Sequence, residues 1–209
     1  DQPGEAGLSY VREPGAERGR LEAVTIRHQP HVVGDGVRTV SQILNDDVRA
    51  AQKDAFYRSV RGDAFMESVP AKGERVVVTT VASLRVGSRY EDAARLITPA
   101  LTDKVDAIAR SMGDFHYGRF DVRFADEAAL ARGAFTIIEV NGAGSEAIQF
   151  WDPGLTLVQA YRGVFAKQRA LFALAQRMRR LGHKPIGALA MARAHLKQQR
   201  LIKLYPPSN

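Results

Sequence analysis

The stretch Tyr117-Gly118-Arg119-Phe120-Asp121-Val122-Arg123, followed after a short gap by Thr136-Ile137-Ile138-Glu139-Val140-Asn141-Gly142, decides how this chain is read. Side chains alternate across a β-strand, so Tyr117, Arg119, Asp121 and Arg123 share one face while Phe120, Val122 and Phe124 share the other. The first face is polar and cationic, and the second belongs to a core. The later run repeats the pattern, with Glu139 and Asn141 two apart and projecting together, and Ile138 and Val140 turned the opposite way. Two neighbouring strands thus aim hard oxygen donors at one place. Magnesium takes oxygen ligands, keeps several waters, and is usually held by one or two carboxylates together with substrate phosphates. Asp121, Glu139 and Asn141 supply that kind of partial shell, which outlines a magnesium-nucleotide site.

On these residues the chain resembles the ATP-grasp ligases, whose C-terminal half carries a Gly-Arg-x-Asp strand followed by a Glu-x-Asn strand. The resemblance implies that Asp121 and Glu139 bind two magnesium ions (with manganese as a substitute) bridging the phosphates of ATP. It further implies that Asn141 completes one shell and that Arg119 is catalytic, facing the reacting acyl phosphate. A second segment, His31-Val32-Val33-Gly34-Asp35-Gly36-Val37-Arg38-Thr39, is similar to the Val-Gly-Asp-Gly-x-x-Thr motif of cyanophycin synthetases and related amide ligases. Asp35 there is a candidate for substrate binding, beside its ordinary reading as a turn residue. The Gly4-Glu5 pair resembles the position after the adenine hinge where a glutamate meets the ribose hydroxyls, which makes Glu5 a nucleotide-binding candidate. Gly142-Ala143-Gly144-Ser145 follows the ligand strand, and Gly144 and Ser145 are candidates to offer backbone donors to an oxyanion. D-alanine ligases of the family carry Pro-Gly in that region, a departure that points away from D-alanine as substrate. The likeness runs from about Gly4 to Asp152.

The same residues have plainer readings. Asp121 can pair with Arg119 or Arg123 as a structural carboxylate, and Arg119 can serve only to neutralise it. The five histidines share no metal-ligand spacing, and no Ser/His/Asp arrangement is visible. The absence of cysteine excludes disulfides and thiolate metal sites and fits a reducing cytoplasm. No apolar run approaches the ~20 residues of a membrane helix, so a soluble protein is expected.

The net charge of +7 conceals an asymmetry. Residues 161–209 hold 11 Lys and Arg and no Asp or Glu, while residues 1–160 hold 19 basic against 23 acidic side chains. The basic tail carries no nucleic-acid-binding motif, and Tyr205 is the single aromatic among its later charges, so no nucleic acid is expected as partner. A solvated face, or contact with an anionic surface or partner, accounts for it.

Along the chain, Leu8–Arg12 and Arg20–His28 read as a hairpin about a Pro14-Gly15 turn. Thr39 reads as an N-cap for Val40–Leu44, with further helix from Asp47 to about Ser59. Val76–Leu84 reads as a strand, and Thr98-Pro99 opens a helix with Leu101, Val105, Ile108 and Met112 on its core side. A long helix follows Asp152-Pro153. Its apolar stripe runs through Tyr161, Val164, Phe165, Leu171, Phe172, Ala175 and Met178 with Gln168 as a polar interruption, and Gly182 and Pro185 end it. A basic helix spans about Ile186–Leu201.

The expectation is an α+β fold: an ATP-grasp C-terminal subdomain (residues 1–154) with a mainly antiparallel sheet and flanking helices, then a helical basic extension (residues 155–209). In the family an N-terminal subdomain and a lysine-bearing nucleotide lid precede this portion. Neither is present in these 209 residues, so the chain is expected to be a portion of a longer ligase and inactive by itself. The implied activity is ATP- and magnesium-dependent joining of a small-molecule carboxylate to an amine through an acyl phosphate. The alternative is a non-catalytic module that docks on an anionic partner or membrane surface through its tail.

Overall fold

The computed structural model describes residues 2–204; Asp1 and residues 205–209, Tyr205 among them, lie outside the described residues. β1 (Gly4–Val11) and β2 (Arg20–His28) form the expected hairpin, with Ala6 opposite Ile26 and Val11 opposite Arg20. The short β3 (His31–Val33) and β4 (Arg75–Val77) make a separate two-stranded ribbon. β5 (Arg89–Asp92), β6 (Tyr117–Phe124) and β7 (Thr136–Asn141) join the hairpin in a five-stranded sheet ordered β5-β2-β1-β6-β7, antiparallel at every pairing. The fold is α+β.

Helices flank both assemblies. α1 (Val40–Leu44), α2 (Val48–Ala51), α3 (Asp54–Arg61) and α4 (Asp63–Met66) surround the ribbon, and α5 (Pro99–Ser111) and α6 (Glu127–Ala131) lie with the main sheet. α7 (Leu157–Arg180) and α8 (Ala188–Ile202) follow. By compactness the chain divides into residues 1–167 and 168–209.

The alternation read in β6 sets the core. Phe120, Val122 and Phe124 pack with Ala6, Leu8 and Tyr10 of β1, Val24 and Ile26 of β2, and Leu101, Val105 and Ala109 of α5. A second core under the ribbon gathers Val32, Val40, Leu44, Tyr57, Met66 and Val78. Asp106 anchors α5 to the hairpin: its buried Oδ1 accepts the Tyr10 hydroxyl and the Gly19 N–H, each at 2.7 Å, and Arg110 Nε lies 3.0 Å from Oδ2. Burial alone would raise this carboxyl, but those three donors hold it below its usual range.

Local signals placed several elements correctly. Thr39 and Gln42 form a reciprocal capping box at α1, and Thr98 caps Leu101 N–H ahead of Pro99. Gly182, at φ +94°, closes α7: its N–H donates to Arg179 and that of His183 to Met178, the paired bonds of a Schellman ending. Tertiary context overrode others. The helix expected from Asp47 is broken into α2 and α3, and Met112 is exposed, with Ala109 taking the core position instead. The strand expected over Val76–Leu84 stops at Val77. The Val78 N–H turns to Pro30 O, Thr79 caps Val81, and Ser83 caps a 3-10 turn over Leu84–Val86. The stripe of α7 is rotated as well. Tyr161, Phe165 and Phe172 are exposed, while Gly163, Lys167, Leu171, Leu174 and Met178 form the covered positions.

Candidate functional site

Antiparallel pairing brings the polar residues of three strands onto one sheet face. β1 sets Glu5 opposite Arg123 and Gly7 opposite Asp121, while β7 sets Glu139 opposite Asp121 and Asn141 opposite Arg119. Asp121 and Glu139 are therefore direct cross-strand partners on the same face. A bulge in β7 follows: Val122 faces Ile137, so Ile137 packs against the core and Ile138, expected to point inward, is exposed.

Asp121 is the electrostatic centre. It is almost fully buried, and Arg119 grips it with two hydrogen bonds, Nε to Oδ1 at 2.6 Å and Nη2 to Oδ2 at 3.1 Å. Oδ2 also meets Arg27 Nη2 at 2.7 Å and accepts from Asn141 Nδ2 at 3.2 Å. Burial would raise the Asp121 carboxyl, but the Arg119 hydrogen bonds and the two guanidinium charges outweigh it and hold the pKa below the usual carboxylate range. The plain reading of Asp121 as an ion-pair carboxylate thus describes its present contacts. Arg119 is also buried, and its Nη1 donates to Glu146 O at 2.9 Å. A Cβ at Gly7 would lie 2.9 Å from Arg119 Cδ and 2.7 Å from Ile148 Cδ1, so only glycine lets both side chains cross β1 here.

The other candidates divide. Glu139 is exposed, and its side chain makes no hydrogen bond or ion pair within the described residues. Glu5 is buried at the start of β1, with Oε1 2.9 Å from Arg27 Nη1 and Oε2 3.7 Å from Arg123 Nη2. Gly144 and Ser145 sit in a turn closed by the Ser145 N–H to Gly142 O, and Lys167 of α7 donates to Ser145 O. Lys167 and Arg119 therefore clamp two successive carbonyls. Burial first, and then the Arg119 charge, lower the Lys167 pKa. Asp35 lies apart in the ribbon assembly and serves its own turn, accepting from the Val37 and Arg38 N–H groups and from Arg38 Nε. Hydrogen bonds from the Arg38 backbone and side chain lower its pKa.

Sequence reading missed Arg27 and Lys167. Each is the first of several polar residues after an apolar stretch, and nothing local says that either turns toward Asp121 or Arg119. The site residues fit magnesium in kind: two opposed carboxylates and an amide share one face, and on Asp121 the guanidinium groups stand where a metal's positive charge would lie. The fit has a condition. Oδ2, the oxygen facing Asn141, already takes three donors, so a cation shared by Asp121 and Asn141 must replace one. Among the described residues no group of three or more His, Cys, Asp or Glu side chains is arranged to hold a metal.

No protein-family model matches this chain, and no curated protein matches it. Among solved structures it is similar to a bifunctional glutathione synthetase from Pasteurella multocida, at 17% identity with a TM-score of 0.43. The likeness covers 66% of this chain and 20% of that one, so the chain spans about a fifth of that structure's length. Among the described residues no helix is long and apolar enough to cross a membrane.

Proposed function

We propose that this chain is the C-terminal catalytic portion of an ATP- and magnesium-dependent ligase of the ATP-grasp kind, joining a carboxylate to an amine in the cytoplasm. The observation that carries the reading is the cross-strand pair of Asp121 and Glu139, with Asn141 and Arg119 beside it on the same face. In this reading a carboxylate oxygen of the substrate attacks the γ-phosphorus of ATP, ADP leaves, and the amine then displaces phosphate from the acyl phosphate. Bound magnesium supplies charge neutralisation at the transferring phosphoryl group. Asp121, Glu139 and Asn141 would hold the two ions, which manganese would replace, and Glu5 would accept the ribose hydroxyls. Arg119 would carry its charge to the acyl phosphate oxyanion. The backbone at Gly144 and Ser145 would donate to the same oxygen, held in place by Lys167. Asp35 would contact substrate as part of the separate ribbon assembly.

Hydroxylamine tests the central step because it intercepts acyl phosphates. The full-length protein, given ATP, magnesium and a panel of small carboxylates, is expected to form a hydroxamate in step with ADP release. ADP release with no hydroxamate from any carboxylate that stimulates it would exclude the acyl phosphate route.

We infer for the basic extension a second activity, contact with an anionic surface. In α8 Leu189, Met191 and Leu196 are more than half exposed beside Arg193, Lys197 and Arg200, with no acidic residue in the helix. Removing residues 183–209 is expected to weaken sedimentation with anionic vesicles, and added salt to weaken it likewise, since screening acts over roughly 8–10 Å. Intact protein that never sediments with such vesicles would refute the docking, and a truncated protein that also unfolds or precipitates would show the segment to be a packed part of the fold.

A further inference from the structure

Arg27 reaches across the polar face and bridges two acids, Glu5 through Nη1 at 2.9 Å and Asp121 through Nη2 at 2.7 Å. Its side chain is only 10% exposed, and the guanidinium lies 5.7 Å from the centre of the Tyr90 ring. Yet its Nε–H has no acceptor. Thr25 Oγ1, two residues back along the same face, is likewise buried without a partner. Buried polar groups in folded proteins are nearly always paired with protein, water or ligand, so two orphans on one strand face point to a missing partner. Arg27 also lines a cavity of about 330 Å³ bounded by Glu5, His28, Arg75, Phe124 and Asp126, among others.

We infer that Arg27 couples the metal position of this site to its phosphate position. While no divalent cation is bound, its guanidinium is a counter-ion of Asp121. When a cation takes Asp121, the guanidinium passes to an anionic oxygen of the nucleotide phosphates. The inference rests on the ligase reading and adds to it a residue in a positioning role.

Three observations lead there. Oδ2 of Asp121 holds three donors, so a cation shared with Asn141 must expel one. Arg119 holds Asp121 through two nitrogens and has Glu146 O as a further acceptor, whereas Arg27 touches Asp121 through Nη2 alone and keeps Glu5 through Nη1. Asn141 turns its Nδ2 away, from 3.2 Å, when its amide oxygen meets the cation, and of the two guanidinium groups that then face the cation's charge Arg27 is the one more easily released. A buried guanidinium deprived of half its negative charge then needs an anion, and phosphate matches its planar fork. Cation and nucleotide each remove an obstacle to the other, so their binding is reciprocally coupled.

The test follows binding rather than turnover. In the full-length protein Mn²⁺ affinity is read by electron paramagnetic resonance, and ADP affinity by calorimetry at fixed free Mn²⁺ and in chelator. Arg27→Met is expected to tighten Mn²⁺ binding in the absence of nucleotide by about 5-fold or more, and to cut the Mn²⁺-dependent gain in ADP affinity by a similar factor. Arg27→Lys keeps a cation without the fork. It should leave Mn²⁺ affinity near that of the parent while still reducing the gain, which separates coupling from a folding defect. Asp121→Asn should abolish Mn²⁺ binding. If it does so while both Arg27 variants keep the parent's affinities and gain, the coupling is refuted and the ligase reading stands. If Asp121→Asn leaves Mn²⁺ binding intact, or the parent binds neither probe, the ligase reading falls and the coupling with it.

Discussion

Replacing Glu139 by alanine in the full-length protein is expected to reduce ATP turnover by roughly 10²–10³-fold, since several kcal/mol of transition-state charge stabilisation would be lost with its metal. The fold should survive the change. Glu139 is exposed and without a partner among the described residues, and no core contact depends on its side chain. Turnover is read as ADP release with the true substrates, and integrity as an unchanged urea midpoint. Undiminished ADP release would remove Glu139 from the chemistry and with it the assignment of the β6–β7 pair as a metal site.

Asp121→Ala is expected to act in the opposite sense, on the fold first. The substitution leaves Arg27 and Arg119, each with a side chain only 10% exposed, without their shared counter-ion. Breaking a buried ion pair from one side typically destabilises by about 3–5 kcal/mol, because the remaining charge stays desolvated. A loss of that size should appear as a lower urea midpoint with an unchanged slope. The pH dependence has a defined sign. The folded carboxyl has a depressed pKa, so its contribution is fully present above the unfolded value of about 3.9 and is lost as pH falls through the folded value beneath it. The parent protein should therefore lose stability below about pH 4 more steeply than Asp121→Asn, which cannot titrate there. Equal acid sensitivity in the two would show that Asp121 does not carry the linkage. The contrast between neighbours is the stronger check: one carboxylate on this face should be dispensable for folding, and its cross-strand partner should not.

Much of the site was legible because it is built on strand periodicity. The two-residue alternation of Tyr117–Phe124 states which side chains share a face, and the Glu139-x-Asn141 spacing does the same for the next strand. Pairing these runs as neighbours, and turning helices with Thr39 and Gln42 or with Thr98 and Pro99, likewise needed only local chemistry. What lay outside local chemistry was register and rotation. Whether Ile137 or Ile138 enters the core depends on a bulge placed by pairing with β6. The strand expected over Val76–Leu84 stops early because its partner, β3, is three residues long and Pro30 takes the next N–H. The stripe of α7 shares Leu171 and Met178 with the covered side but is rotated from it, so that Tyr161, Phe165 and Phe172 are exposed and Gly163, Lys167 and Leu174 are covered. Arg27 is the clearest case. In sequence it is one arginine at the end of a β-branched run, while in space it joins Glu5 on β1 to Asp121 on β6. By itself the sequence determined the α+β class, the polar face and the candidate ligands, because those follow from periodicities of two and of three to four residues. Only the tertiary structure decided that Asp121 is already neutralised by two arginines from different strands, because an ion pair between residues 94 apart in the chain exists only once the sheet has assembled.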